Sequence, residues 1–149
     1  MKALTRSEAD TAALAARFAE TLKPGDCVLL HGDLGAGKSV FVRGAARALG
    51  VRGAMPSPTF TLMIPYEGDV KLYHFDLYRL GDPEEFYAAG LDEFVGGDGV
   101  ALIEWPEMAE LAPEGAIHVR ISRSDAGDDA RVIEIDGDVP QLAEWRLEA

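Results

Sequence analysis

Cysteine is almost absent. The single thiol, Cys27, excludes an intrachain disulfide and leaves no spacing for a metal cluster. It lies in the apolar run Cys27-Val28-Leu29-Leu30 and reads as a small buried side chain. Long hydrophobic runs are missing too: no window approaches the roughly 18 apolar residues of a membrane span. No apolar segment follows the charges of Met1-Lys2-Ala3-Leu4-Thr5-Arg6 to make a secretory signal. These absences point to a cytosolic chain without a membrane partner. Basic residues are scarce, 14 against 26 acidic ones, for a formal net charge of -12. Free-standing binding to nucleic acid needs a basic surface that neutralises phosphate, and this balance argues against it. An acidic chain can still hold a polyphosphate through a local device made of backbone N–H groups, one or two cations and a metal. Repeats, low-complexity tracts and linkers are also lacking, so the 149 residues read as one domain, long enough to bury a core.

What is present alternates between helical and strand patterns. Ser7 opens a helix as N-cap, with Asp10 as a weak capping-box partner. Leu14, Phe18 and Leu22 follow on one face until Pro24-Gly25 stops it. Residues 26–30 form a continuous apolar run, the mark of a strand buried on both faces of a parallel sheet. A glycine-rich turn over 32–39 leads into a helix over about 38–49, ended by Gly50. Residues 59–65 and 70–76 read as two strands joined by the turn 66–69, the pattern of an antiparallel hairpin. Asp82-Pro83-Glu84-Glu85 starts a short helix with proline in its first turn. Residues 100–103 form a second buried strand, 106–111 a short helix or turn, 116–122 and 131–135 two further strands, and the tail from 139 a final helix.

The chemistry is concentrated in Gly32-Asp33-Leu34-Gly35-Ala36-Gly37-Lys38-Ser39, which fits G-x-x-x-x-G-K-[ST] at every position. A polyphosphate needs several converging N–H donors, and glycines let the backbone curl close with no Cβ in the way. The following helix aims its partial positive charge at the same place. Lys38 supplies a mobile cation for the β- and γ-phosphates, and the Ser39 hydroxyl can ligate Mg2+. Chance alone would produce the four fixed positions in roughly one chain of this length in two hundred, so the strand before the loop and the helix after it tighten the reading. The metal also needs an acid at the carboxyl end of a neighbouring strand. Val100-Ala101-Leu102-Ile103-Glu104 offers Glu104, and the strand ending at Asp76 offers a second. No Asn-Lys-x-Asp stretch is there to read guanine, no ABC-type signature, and no arginine-rich lid of the small-molecule kinases. Arg43 and Arg47, four apart on the helix after the loop, read as its solvated face.

Four stretches then carry a resemblance: His31 to Ser39, Ser57-Pro58-Thr59-Phe60-Thr61-Leu62, His74-Phe75-Asp76-Leu77-Tyr78-Arg79-Leu80 and Ile103-Glu104-Trp105-Pro106-Glu107. In order and spacing they resemble the signature blocks of the TsaE (YjeE) family, and the likeness covers most of the chain, from about Ser7 to Arg131. The first block alone would say only P-loop; the other three are specific to the family.

The resemblance implies an α/β, P-loop NTPase three-layer fold with a mixed, mostly parallel central sheet and antiparallel additions. It implies a small ATPase using ATP and Mg2+ in making the threonylcarbamoyl modification on adenosine, in tRNAs that read codons beginning with A. The partners it implies are TsaD-like and TsaB-like proteins, with tRNA met only through the complex and hydrolysis weak in isolation. Asp33, Leu34, Gly35, Ala36, Gly37, Lys38, Ser39 and Val40 are then expected to hold the phosphates, and Ser39 and Glu104 the metal. Lys38, Asp76, Glu104 and Thr59 are the expected catalytic set, with Thr59 in a switch-like loop near the γ-phosphate. Ser7, Glu8 and Thr11 fall where members touch the adenine end. Arg131 aligns with a late basic position near the nucleotide, an exposed strand arginine being the other reading, and Trp105 is a wall of the site or a plain core residue. Many members have threonine where this chain has Ser39; both supply a hydroxyl. A small-molecule kinase and a non-hydrolysing nucleotide sensor stand as alternatives.

Overall fold

The computed structural model describes residues 1–58 and 61–147. Seven strands form one sheet in the order β1-β7-β6-β2-β5-β4-β3. They are β1 (Lys2–Thr5), β2 (Cys27–His31), β3 (Met63–Tyr66), β4 (Leu72–Asp76), β5 (Val100–Glu104), β6 (Ile117–Arg123) and β7 (Arg131–Ile135). The central strands β6, β2, β5 and β4 run parallel, while β1, β7 and β3 add antiparallel edges. This is the expected mixed sheet. Its innermost strands β2 and β5 are apolar without alternation because both faces are covered.

Helices α1 (Glu8–Ala19) and α2 (Lys38–Ala48) cover one face. There Leu14, Phe18, Phe41 and Val42 pack against Val28, Leu30, Leu102 and Ile121. On the other face Leu29, Phe75 and Ile103 meet Phe86 of α3 (Pro83–Ala88), Leu91 of the 3-10 turn Leu91–Phe94, and Ala109 of the 3-10 turn Pro106–Ala109. Cys27 is buried on this side, and desolvation pushes its thiol up to about 12, which makes it inert at neutral pH. Among the described residues no helix is long and apolar enough to cross a membrane.

Several local readings hold. Ser7 caps α1 by accepting from the Asp10 N–H at 3.0 Å. Asp82 caps α3, with Pro83 at its start. The hairpin of β3 and β4 is antiparallel. Other boundaries move. α1 ends at Ala19 rather than at Pro24-Gly25, where the Thr21 hydroxyl donates to the Phe18 carbonyl at 2.7 Å, yet Leu22 stays buried beyond the helix. The strand expected over 59–65 begins only at Met63, because Leu62 takes a left-handed conformation (φ 65°) that breaks the extended run. Residues 59 and 60 of that expected strand lie outside the described residues. Asp10 bonds the Arg6 N–H at 3.0 Å instead of closing a capping box on Ser7, and its other oxygen accepts from the Trp145 indole at 2.8 Å. That bond docks the tail, a 3-10 turn over Pro140–Trp145 rather than a full helix. β1 was not anticipated; it pairs with β7 from Lys2↔Glu134 to Thr5↔Arg131.

At Gly44 the backbone of α2 crosses that of α1 at Ala12 with no side chain between them. A Cβ built on Gly44 would lie 2.4 Å from the Ala12 carbonyl oxygen and 2.8 Å from its Cα. On helix propensity alone Gly44→Ala should stabilise the protein by about 0.5–1 kcal/mol. Backbone cannot give way as a flexible side chain does, so overpacking of about 1–3 kcal/mol outweighs that gain. Urea unfolding of Gly44→Ala is expected to show a lower midpoint at unchanged slope; a raised midpoint would contradict this close helix contact.

Candidate functional site

The glycine-rich loop leaves β2 at His31 and enters α2 at Lys38. Two of its glycines are required by geometry. A Cβ on Gly32 would sit 2.6 Å from the Ile121 carbonyl oxygen, so the chain passes hard against β6. Gly37, the N-cap of α2, has φ 113°, a value that side-chain-bearing residues rarely adopt. Three cations fasten the loop by its carbonyls. Lys38 Nζ donates to Gly32 O at 2.6 Å, Arg131 Nε to Ala36 O at 2.6 Å and Arg123 Nη2 to Gly35 O at 3.1 Å. With carbonyls held this way, the first N–H groups of α2, which have no intrahelical partner, are left as donors at the loop's mouth.

Two carboxylates arrive from the neighbouring strands. β4 and β5 pair in parallel with Asp76 opposite Glu104, so both acids stand at the carboxyl edge of the sheet, where β2 also ends. Glu104 is only 5% exposed, and its Oε2 lies 2.7 Å from His74 Nε2. No hydrogen bond ties its other oxygen among the described residues. Asp76 is half-buried and accepts the Tyr78 N–H at 3.1 Å. Burial raises its carboxyl above the usual range and nearby Glu104 adds to this, against the pull of the Tyr78 N–H, His74 and Lys38.

Lys38 is buried, and desolvation lowers its ammonium below the ordinary lysine value, with Glu104, Glu107, Asp76 and Asp33 opposing. Its Nζ lies 3.5 Å from the centroid of the Trp105 ring, a cation–π contact. Trp105 therefore walls the site. Its left-handed backbone (φ 58°, ψ 49°), uncommon for a bulky residue, turns the chain between β5 and the Pro106–Ala109 turn. Tyr78 packs on the indole with ring centroids 4.9 Å apart.

These groups surround one cavity of about 340 Å³. Lining it are Leu34, Gly35, Gly37, Lys38, Ser39 and Val40 from the loop and α2, Glu8 and Thr11 from α1, the acids Asp76 and Glu104, and Arg131 from β7. Asp33 and Ala36, expected with them, instead line a neighbouring hollow with Ile121, Ser122 and Arg123, because the curl of the loop turns them toward β6. Thr59 lies outside the described residues. The Thr11 hydroxyl is shared with Thr5 at 2.7 Å, which ties α1 to β1. Three residues escaped the sequence reading: Asp129, which lines the cavity, His74 on Glu104, and Arg123 on the loop. For His74 a signal existed, a polar residue inside a buried strand.

The donor set fits Mg2+, a hard cation that takes oxygen ligands. Ser39 brings a hydroxyl and Glu104 a carboxylate to the same cavity. Among the described residues no group of three or more His, Cys, Asp or Glu side chains could hold a metal by itself. A cation here would complete its shell with oxygens of the ligand it accompanies.

A family model described as "Threonylcarbamoyl adenosine biosynthesis protein TsaE" matches residues 5–133. The chain is 43% identical over 135 residues to the tRNA threonylcarbamoyladenosine biosynthesis protein TsaE of Bacillus subtilis, covering 89% of this chain and 83% of that one. To the protein of the same name from Treponema pallidum it is 42% identical over 122 residues, 81% of this chain and 90% of that one. The fold superposes on a crystal structure of Bacillus subtilis YdiB with a TM-score of 0.76 and 35% identity, covering 97% of this chain and 90% of that one. With a family model spanning most of its length and relatives above 40% identity, the chain belongs to the TsaE family.

Proposed function

We propose that this protein binds ATP with Mg2+ in the cavity between the glycine-rich loop and the strand-end acids, and hydrolyses it as part of tRNA threonylcarbamoyladenosine biosynthesis. One observation carries the reading: unpaired helix N–H groups, a buried ammonium and two carboxylates converge on a single cavity of about 340 Å³, within the range of small-molecule sites. In this scheme the loop N–H groups and Lys38 cradle the β- and γ-phosphates. Ser39 and the second oxygen of Glu104 would hold the cation, which when bound would screen the charge that develops on the phosphates. Asp76, whose carboxyl burial raises and which is not engaged by His74 as Glu104 is, orients the water and accepts its proton as the oxygen attacks the γ-phosphorus and the bond from that phosphorus to the β,γ-bridging oxygen breaks. The products are ADP and phosphate. Glu8 and Thr11, across the cavity on α1, face the nucleoside end.

Hydrolysis by the chain alone is expected to be slow. The arginines at the loop, Arg123 and Arg131, are engaged on its carbonyls, so neither is poised as an arginine finger. TsaD-like and TsaB-like proteins would complete the site in the cytosol and bring the tRNA, whose phosphates a chain of formal net charge -12 is poorly suited to bind alone.

Calorimetry with MgATP should give binding heat that Lys38→Ala abolishes, and phosphate release should fall about 100- to 1,000-fold in that variant. Full binding and turnover by Lys38→Ala would remove the ammonium from the scheme. Adding both partner proteins should accelerate phosphate release without any phosphorylated small molecule forming. No acceleration would end the partner-completion reading, and a phosphorylated metabolite would replace hydrolysis with a kinase activity.

A further inference from the structure

We propose that His74 is a positioning residue that fixes Glu104 for the cation held with the nucleotide, an inference that rests on the metal reading above. The side chains of His74 and Glu104 are only 7% and 6% exposed, and their 2.7 Å separation is in the range of a charge-assisted hydrogen bond. Sheet register sets this up. His74 is the partner of Leu102 on the adjacent parallel strand, and Glu104 is the next residue of that strand on the same face. Both backbones are locked in the middle of the sheet, so the bond joins two rigid elements.

Packing does not account for a histidine here. Its face of the strand is apolar at Leu72, and its Nδ1 is buried with no hydrogen-bond partner among the described residues. An unpartnered buried acceptor is unfavourable, and an aliphatic or aromatic residue would avoid it. What His74 contributes is the other nitrogen. A carboxylate that ligates a cation is ionised and only accepts, so Nε2 carries the proton and donates it to Oε2. With Oε2 held, Glu104 cannot swing, and its second oxygen keeps one direction toward the cavity. His74 also shares with Ser39 the wall of a small hollow of about 40 Å³ beside the loop. It therefore stands behind both oxygen donors proposed for the cation. Groups that hold a metal ligand in this way typically change metal affinity 10- to 100-fold when removed.

The test compares ATP affinity in Mg2+ and in EDTA, by calorimetry, for the native protein, His74→Phe and His74→Gln. Glutamine can place an amide N–H near the position of Nε2. The gain in affinity due to Mg2+ is expected to drop about 10- to 100-fold in His74→Phe and to return largely in His74→Gln, while affinity in EDTA stays the same in all three. An unchanged gain in His74→Phe, or equal losses in both variants, overturns the proposal. A native protein that binds ATP equally with and without Mg2+ fails the metal reading itself, and this inference falls with it. Should His74→Phe not fold, long-range proton–nitrogen NMR of the native imidazole decides. A slowly exchanging proton on His74 Nε2 is expected, and a ring with no proton on that nitrogen overturns the assignment.

Discussion

The parallel alignment of β2, β5 and β4 is the constraint on which the rest of this structure depends. Because the three strands run the same way, in register, their carboxyl ends fall on one edge of the sheet. The loop after β2, Glu104 after four apolar residues of β5, and Asp76 at the end of β4 thus meet without any long side chain having to reach. Reversing any one strand would carry its terminal group to the opposite edge. The burial of both sheet faces, which makes β2 and β5 apolar along most of their length, is the driving force that holds these strands together in the interior of the sheet.

Electrostatics inside the cavity follow from that geometry. Lys38 is drawn out of water, which disfavours its charge, and the acids around it push back. For Asp76 the signs are inverted, with burial disfavouring the carboxylate and Lys38 opposing. In both cases burial wins over pairing, so neither group is fully compensated by the protein. An ammonium and carboxylates left in this state side by side are the setting that the proposed triphosphate, with its divalent cation, would compensate. A plain surface ion pair would leave no such charge to compensate, since water would screen it.

How much of this was legible beforehand varies with how local the cause is. The glycine-rich loop could be read because its turn demands glycine at fixed places, and Gly32 and Gly37 bear this out in their close approach and backbone angle. The buried strands around Leu29 and Leu102 announced themselves as apolar runs. The family blocks then marked Trp105, whose place over Lys38 no spacing rule would find. β1 was missed because four residues with a lysine and a threonine carry too little pattern, and its partner β7 lies at the far end of the chain. His74 stood out only as a polar residue within a buried strand; that it meets Glu104, and that Arg123 meets the loop, depends on register between strands distant in sequence, information that no window contains. The displacement of Asp33 and Ala36 from the cavity is of the same kind, since it is the proximity of β6 that decides which loop residues turn inward.

The loop's shape and its chemistry draw on the same few cations. A backbone that turns its N–H groups toward one point must turn its carbonyls away, and those carbonyls need donors of their own. Arg123 and Arg131 supply them, from β6 and β7 respectively, with Lys38 bonding Gly32. A neutral donor would hold the carbonyls less firmly than a guanidinium does, and a chain with only 14 basic residues has few to place at the site. The arginines that preorganise the loop are therefore not available to neutralise charge on a reacting phosphate. Under the proposed ATPase reading, this division of labour is the reason a cation from outside the chain would be needed to speed the reaction.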